Sequence, residues 1–595
     1  MGANRVNGGP SPVEADYDLV VAGSGAGGLA AAVTAAVNGL RVLVIEKEAF
    51  IGGTTARSGG VLWLPCNPVL KAAGIDDSLE EARRYLEGQT GPHFDASRVD
   101  AFLENCAAMV EFFERRTEVR FVPLPGFADY HPNADGASLQ GRAILAAPYH
   151  ARHLGREIRR LRPPLRVLTF VGMMFNASQE VAHFFNCTRS VRSAAYVARR
   201  LVEHAGEMLR YGRPQRITNG NALVARLFRS ALDAGVDIRT EAALEEIVRE
   251  DGQTHSVRVR RNGTIETVRT KRIVLATGGF PQSTELRRRN FRHAPTGAEH
   301  WSPAPPGNTG DGWQIAERIG AETCAELPNN GAWIPVSLVP RRQGAPDVFP
   351  HLIDRYKPGI IAVNPKGERF VNEADSYHDF GEAMQRHCAT DGMAPQAWLI
   401  CDHRAIRRYG LGFAKPFPLP LWPHLRSGYL LRADSLDALA RKAGIAPESL
   451  VRTVEAYNLH AGQGEDPAFG KGSTAYNRYL GDATHRPNHC VAPLARGPYY
   501  ALRLVMGDLG TFAGIRTDAR ARVMDRQGAP LPGVYAVGND ALSIMGGNYP
   551  GAGITLGPAM TFGYIAGLDI AGAVAADRPA ADAGPDAATG SHEAA

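Results

Sequence analysis

Residues 18–46 read DLVVAGSGAGGLAAAVTAAVNGLRVLVIE. The run DLVVAG is short and apolar, as a buried parallel strand is. GSGAGG then supplies Gly23, Gly25 and Gly28 at the G-x-G-x-x-G spacing. An alanine-rich helix follows, and RVLVIE forms a second strand that ends in Glu46. The three glycines serve different ends. Gly23 permits the tight turn, Gly25 lets the backbone approach a pyrophosphate, and Gly28 allows the helix to pack close on the strand. The helix N-terminus then faces the phosphates, with Ser24 in the turn itself. Glu46, about 20 residues past the turn, is placed to accept hydrogen bonds from an adenosine ribose. A glycine pattern alone is weak. Strand, turn, helix, strand and acid in this order predict a Rossmann-like α/β dinucleotide-binding domain.

Working outward, the stretch after the second strand is KEAFIGGTTARSGGVLWLP, beginning at Lys47. Its glycines and hydroxyls (Gly53, Thr54, Thr55, Ser58, Gly59, Gly60) can bring backbone N–H groups against a flavin ring and its ribityl chain. A further strand, IVLATGGF near residue 273, runs into Thr277, Gly278 and Gly279. Another, GVYAVGND near 533, runs into Gly538, Asn539 and Asp540. Three strand-to-glycine junctions so far apart imply one nucleotide domain assembled from distant segments, which favours FAD over NAD. Near the C-terminus, GNYPGAGITLGPAMTFGY leads into a helix that starts around Thr555 and Leu556, and its positive end can stabilise negative charge on a reduced flavin. The GGTTARSGG loop contains no histidine, so FAD is expected to be held without a covalent bond.

The chain has 595 residues, enough for two domains, and is 44% hydrophobic and 21% charged with a net charge of +5. It carries no nucleic-acid-binding signature. The seven scattered cysteines form no CxxC pair, which suits a reducing compartment, and no metal site is expected. Residues 1–15 lack a secretory signal, no apolar run of 18 residues is present, and the tail 576–595 is rich in Ala, Asp and Pro. A cytoplasmic protein with two disordered ends is therefore expected. Residues 143–215 stand apart: from Arg152 to Arg213 there are twelve Arg, no Lys, no Asp and four Glu. A basic segment with an apolar core, here VLTFVGMMF, can lie on an anionic membrane surface as a peripheral contact. It can equally be a helical excursion with solvated arginines, or it can reshape a pocket.

Four motifs, GGTTARSGGVLWLP, NEADSYHDFG, GDLGTFAGIRTD and GNYPGAGITLGPAMTFGY, resemble those of the 3-ketosteroid Δ1-dehydrogenases, within the fumarate-reductase-like FAD flavoproteins. The resemblance covers most of residues 16–575. It implies a discontinuous FAD domain, 16–329 and 506–575, with an inserted α+β catalytic domain at 330–505. It implies a 3-ketosteroid substrate, desaturated between carbons 1 and 2, and an external electron acceptor it does not identify. It also implies a catalytic set. FADY supplies Tyr130, NEADSY supplies Tyr377, and YPGAG supplies Tyr549 together with Gly553. By this resemblance Tyr549 and the Gly553 N–H polarise the 3-ketone. Tyr377, assisted by Tyr130, removes the carbon-2 proton, and the flavin takes the carbon-1 hydride. The chemistry needs such a set, because a proton beside a ketone is acidic only when donors stabilise the developing enolate. A lone tyrosine of pKa about 10 is ionised about one time in a thousand at neutral pH. Three alternatives remain open at this level. They are a 4,5-dehydrogenase of 3-ketosteroids, an ene-reductase of the fumarate type, and a silent flavin-binding module at a membrane.

Overall fold

The computed structural model describes residues 13–14, 16–175, 183–184, 186–389 and 394–577. The ends expected to be disordered, apart from residues 13–14, 576 and 577, lie outside the described residues. The apolar run DLVVAG becomes β1 (Leu19–Ala22), α1 covers Ala26–Val37, and RVLVIE becomes β2 (Val42–Glu46). Every residue of both strands is buried, as expected of parallel strands covered on both faces. They are central in a six-stranded sheet whose order is 522–524, 530–536, 273–275, 19–22, 42–46 and 237–240. All pairs but the first run parallel. The three strand-to-glycine junctions of the sequence thus come from three neighbouring strands, and they end at the same sheet edge. This is where open α/β sheets bind their ligands.

The final helix, α5 (Leu556–Asp577), packs along α1. A Cβ on Gly563 would come within 2.5 Å of the Gly27 carbonyl oxygen, and one on Gly567 within 2.7 Å of the Thr34 Cβ. Small residues thereby let two helices approach closely. By length and composition α5 could cross a membrane, yet much of it is buried inside this fold. It continues to Asp577, one residue beyond the start of the expected tail.

A second six-stranded sheet, wholly antiparallel, supplies the other wall of the molecule. Its main path is Asp347–Pro350, Gly331–Val339, Tyr499–Thr511, Gln396–Asp402 and Ile360–Val363, with Leu431–Ala433 also paired to 499–511. The long strand Tyr499–Thr511 is unbroken. The domain boundary expected after residue 505 therefore falls inside a strand, whose ladder to residues 331–336 persists up to Thr511. A short sheet of Val61–Trp63, Ala143–Ala146 and Phe121–Pro123 bridges towards the first domain.

Candidate active site

One continuous cavity of about 1460 Å³ runs from the turn after β1 to the three candidate tyrosines. That exceeds the range of about 300–1,000 Å³ typical of a single small-molecule site, so it has room for a dinucleotide and a second molecule. The nucleotide end fits FAD on the geometry of the turn itself. A Cβ on Gly28 would lie 2.2 Å from the Gly23 carbonyl oxygen, whereas one on Gly25 would meet nothing closer than the Thr55 hydroxyl at 3.6 Å. Gly28 is packed and Gly25 is open to the cavity, which is the division of labour a bound pyrophosphate requires. Ser24 donates from its N–H and its hydroxyl to one Glu46 carboxylate oxygen, at 3.2 and 2.5 Å, and the Glu48 N–H donates to the other. Glu46 is buried, and burial raises its pKa despite these donors.

Gly23, Ser24, Gly25, Gly28, Glu46, Lys47, Gly53, Thr54, Thr55, Ser58, Gly59, Gly60, Thr277, Gly278, Gly538, Asn539, Thr555 and Leu556 all line this cavity. Gly279 does not. Its N–H donates to Asp540 at 2.8 Å, and a Cβ there would run into the Thr511 hydroxyl at 2.1 Å. Gly279 is packed between the Thr511 side chain and the Asn539 carbonyl, beside the lining residue Gly278. Asp540 also accepts from the Thr277 N–H and hydroxyl, so it ties two of the three glycine junctions together.

At the other end Tyr130, Tyr377 and Tyr549 converge from segments hundreds of residues apart. The Tyr130 hydroxyl donates to the Tyr377 hydroxyl at 3.0 Å. The Tyr549 ring is stacked on Tyr130 with centroids 5.7 Å apart, and it lies edge-on to Tyr377 at 5.0 Å. Burial raises all three phenols, Tyr377 and Tyr130 well above the ordinary tyrosine value.

The local sequence explains each placement. Ser376 caps the helix α3 (Tyr377–His387) by accepting from the Asp379 N–H at 3.1 Å. Tyr377 is thus in the first turn, where the helix dipole favours negative charge. Tyr130 is fixed through its backbone, whose N–H donates to the Pro550 carbonyl at 2.9 Å; the Tyr85 hydroxyl donates to the same oxygen at 2.7 Å. Beneath it the fully buried Asp129 accepts from Trp63 and from Arg142, both at 2.7 Å. Gly553 has φ +92°, and a Cβ there would lie 2.4 Å from the Val61 carbonyl oxygen. Gly553 lines the cavity, and its N–H donates to no described residue.

Two tyrosines were not singled out in the sequence. Tyr476 packs its ring against Tyr130, 4.5 Å away centroid to centroid. Its hydroxyl is 2.6 Å from that of Tyr356, which in turn donates to the Asp375 carbonyl at 3.1 Å. Two hydroxyl pairs, Tyr130–Tyr377 and Tyr356–Tyr476, thus lie side by side, joined through the packed rings of Tyr130 and Tyr476. Tyr476 stands in no motif with a mechanism attached; only its proximity to Tyr130 identifies it.

The basic segment is part of the site. Leu165, Leu168, Phe170 and Phe175, then Val197 and Leu201 of helix α2 (Val191–Tyr211), line the cavity. The segment thus contributes an apolar wall to the cavity while arginines such as Arg152, Arg192, Arg199 and Arg210 remain exposed.

Residues 18–556 match the family of FAD binding domains. The chain is 41% identical to 4-oxocyclohex-2-ene-1-carboxylate 5-dehydrogenase of Sinomonas cyclohexanicum over 555 residues, 93% of each chain. It is 36% identical to 3-oxosteroid 1-dehydrogenase of Mycolicibacterium smegmatis, over 95% of this chain and 98% of that one. Among solved structures it resembles 3-ketosteroid Δ1-dehydrogenase from Sterolibacterium denitrificans, in complex with 1,4-androstadiene-3,17-dione. The TM-score is 0.86 at 35% identity, covering 94% of this chain and 100% of that one. With a cavity that fits the cofactor and relatives matched along nearly their whole length, the chain belongs to the FAD-dependent oxidoreductases of the 3-oxosteroid 1-dehydrogenase family.

Proposed function

We propose that this enzyme desaturates 3-ketosteroids between carbons 1 and 2. The observation that carries the reading is the Tyr130–Tyr377 hydroxyl pair at 3.0 Å, with Tyr549 and the free Gly553 N–H at the same end of the cavity. FAD, when bound along the glycine junctions, supplies the hydride acceptor. The Tyr549 hydroxyl and the Gly553 N–H donate to the ketone oxygen and stabilise the enolate as it develops. Tyr377 takes the proton from carbon 2, assisted by Tyr130, which donates to it. The buried apolar wall excludes water, so these hydrogen bonds act in a low dielectric. Anaerobic mixing with 4-androstene-3,17-dione is expected to bleach the flavin and yield the 1,4-diene-3-one. A 4,5-dehydrogenase would instead act on the ring-saturated ketone and leave this substrate untouched. An unbleached flavin with both ketones would overturn the steroid reading.

A second reading is a smaller ring ketone. The relative at 41% identity is named for a single-ring keto acid, and the same tyrosine and glycine donors would serve its ketone. Against it stand the breadth and the apolar character of the cavity, with Leu165, Leu168, Phe170 and Phe175 in its wall.

We place the enzyme in the cytoplasm, with a peripheral membrane contact through helix α2. Val191, Val202 and Leu209 are 88%, 73% and 90% exposed, and the helix also carries exposed Arg192, Arg199 and Arg210. Val197 and Leu201 of the same helix line the cavity, so a contact here would set the cavity beside a lipid phase. The holoenzyme is expected to float with anionic vesicles at low salt. Val202→Asp with Leu209→Asp is expected to abolish flotation while the flavin content stays the same. Absence of flotation by the unaltered enzyme would end this reading.

A further inference from the structure

Lys415 lies in the loop between helix α4 (His403–Tyr409) and Trp422–Arg426, and it lines the cavity. Its ammonium makes no hydrogen bond or ion pair with any described residue. Its contacts are the rings of Phe413, 5.5 Å away, and Phe349, 5.7 Å away. The other cations of the cavity wall are engaged. Lys47 pairs with Asp311 and Arg162 with Glu48, each at 2.6 Å, and Arg408 pairs with Asp482. Arg57 donates to the Pro303 carbonyl at 2.9 Å, and Lys357 to the carbonyls of Leu480 and Gly481 at 2.6 and 2.8 Å.

A desolvated charge without a partner is costly, and burial indeed lowers the pKa of Lys415. Arg166 lies over the same Phe413 ring, 5.9 Å from its centroid, and is already paired with Asp347, and two further groups near Lys415 carry or can carry charge. Asp354 is the acid, but its carboxylate is already occupied by His351 at 2.7 Å and the Gly412 N–H at 2.9 Å. His424 is the other, and burial together with the lysine lowers its pKa. Behind Asp354, the buried guanidinium of Arg355 is bonded to the carbonyls of His351 and Glu373 and forms no carboxylate pair. This part of the wall is therefore short of negative charge.

We infer that Lys415 anchors a carboxylate carried by the substrate away from its ketone, so that the substrate class is a cyclic keto acid. This rests on the dehydrogenase reading above and adds to it the charge of the substrate. An ion pair formed in such a site is expected to favour the acid over a neutral isostere by about ten- to a hundredfold.

The test uses two matched pairs: 3-oxoandrost-4-ene-17β-carboxylate and its methyl ester, and 4-oxocyclohex-2-ene-1-carboxylate and its methyl ester. Half-saturation is read from anaerobic flavin bleaching, and Kd by calorimetry in the Tyr377→Phe background, where turnover is slow. The unaltered holoenzyme is expected to prefer the acid in at least one pair, and the preferred pair reports whether the ring system is steroid-sized or single. Lys415→Met is expected to reduce that acid-over-ester ratio to about one, while Lys415→Arg retains it. Equal affinity for acid and ester, or a preference that survives Lys415→Met, overturns this inference and leaves the dehydrogenase standing. If no member of either pair bleaches the flavin, the dehydrogenase reading falls and this inference falls with it.

Discussion

Tyr377→Phe is expected to slow flavin bleaching by about a thousandfold, within the range of about 10²–10⁴ that a positioned general base contributes. The substitution removes one oxygen and keeps the ring that packs against Tyr130 and Tyr549, so FAD content and fold are expected to be unchanged. Burial, together with the neighbouring phenols, holds Tyr377 well above the ordinary tyrosine value. The phenol is therefore neutral near pH 7, and the reactive anion is scarce. Its population rises tenfold with each pH unit until the pKa is reached. The bleaching rate of the unaltered enzyme should accordingly climb with pH and show no plateau below about pH 10. In Tyr377→Phe the slope should vanish along with the rate. Stopped-flow bleaching over roughly pH 6 to 10 measures both. A Phe variant that keeps the slope would assign the proton to another group, and Tyr130 would be examined next.

What could be read from the sequence follows a physical boundary. Gly23, Gly25 and Gly28 were legible because a turn, a backbone approach and a helix packing are fixed within six residues. The roles of Tyr549 and Gly553 came from the resemblance, although YPGAG by itself reads as a rigid turn that exposes a backbone N–H. Tyr130 and Tyr377 came from a resemblance, since nothing local in FADY or NEADSY says that their hydroxyls meet. The supports were not legible. Asp129 depends on Trp63 and Arg142, and Tyr476 reaches Tyr130 across almost 350 residues of chain. Lys415 had no local signal either, because its lack of a partner is a property of the folded cavity. TGG likewise reads as one loop, whereas in the fold Gly278 lines the cavity with φ +93° and Gly279 gives its N–H to Asp540.

Tyr549→Phe is expected to lower kcat by about 10²–10³, the effect of deleting one oxyanion donor, or about 2.7–4 kcal/mol of transition-state stabilisation. KM should change little, because the donor matters most when charge has developed on the ketone oxygen. The ring remains stacked on Tyr130, so the geometry of the base is preserved. The Gly553 N–H also remains, and for this reason the loss should stop short of abolition. Gly553 itself cannot be tested by adding a methyl group. Its φ of +92° and the Val61 carbonyl oxygen, 2.4 Å from a new Cβ, would make Gly553→Ala a folding defect before it became a catalytic one. The two donors are separated from the base by a different measurement, exchange of the carbon-2 proton with deuterated solvent. If Tyr549 polarises the ketone, exchange and bleaching should fall together in Tyr549→Phe, because both pass through the same enolate. If bleaching falls while exchange persists at the unaltered rate, the enolate forms without Tyr549, and its hydroxyl acts on the hydride step or on substrate placement instead.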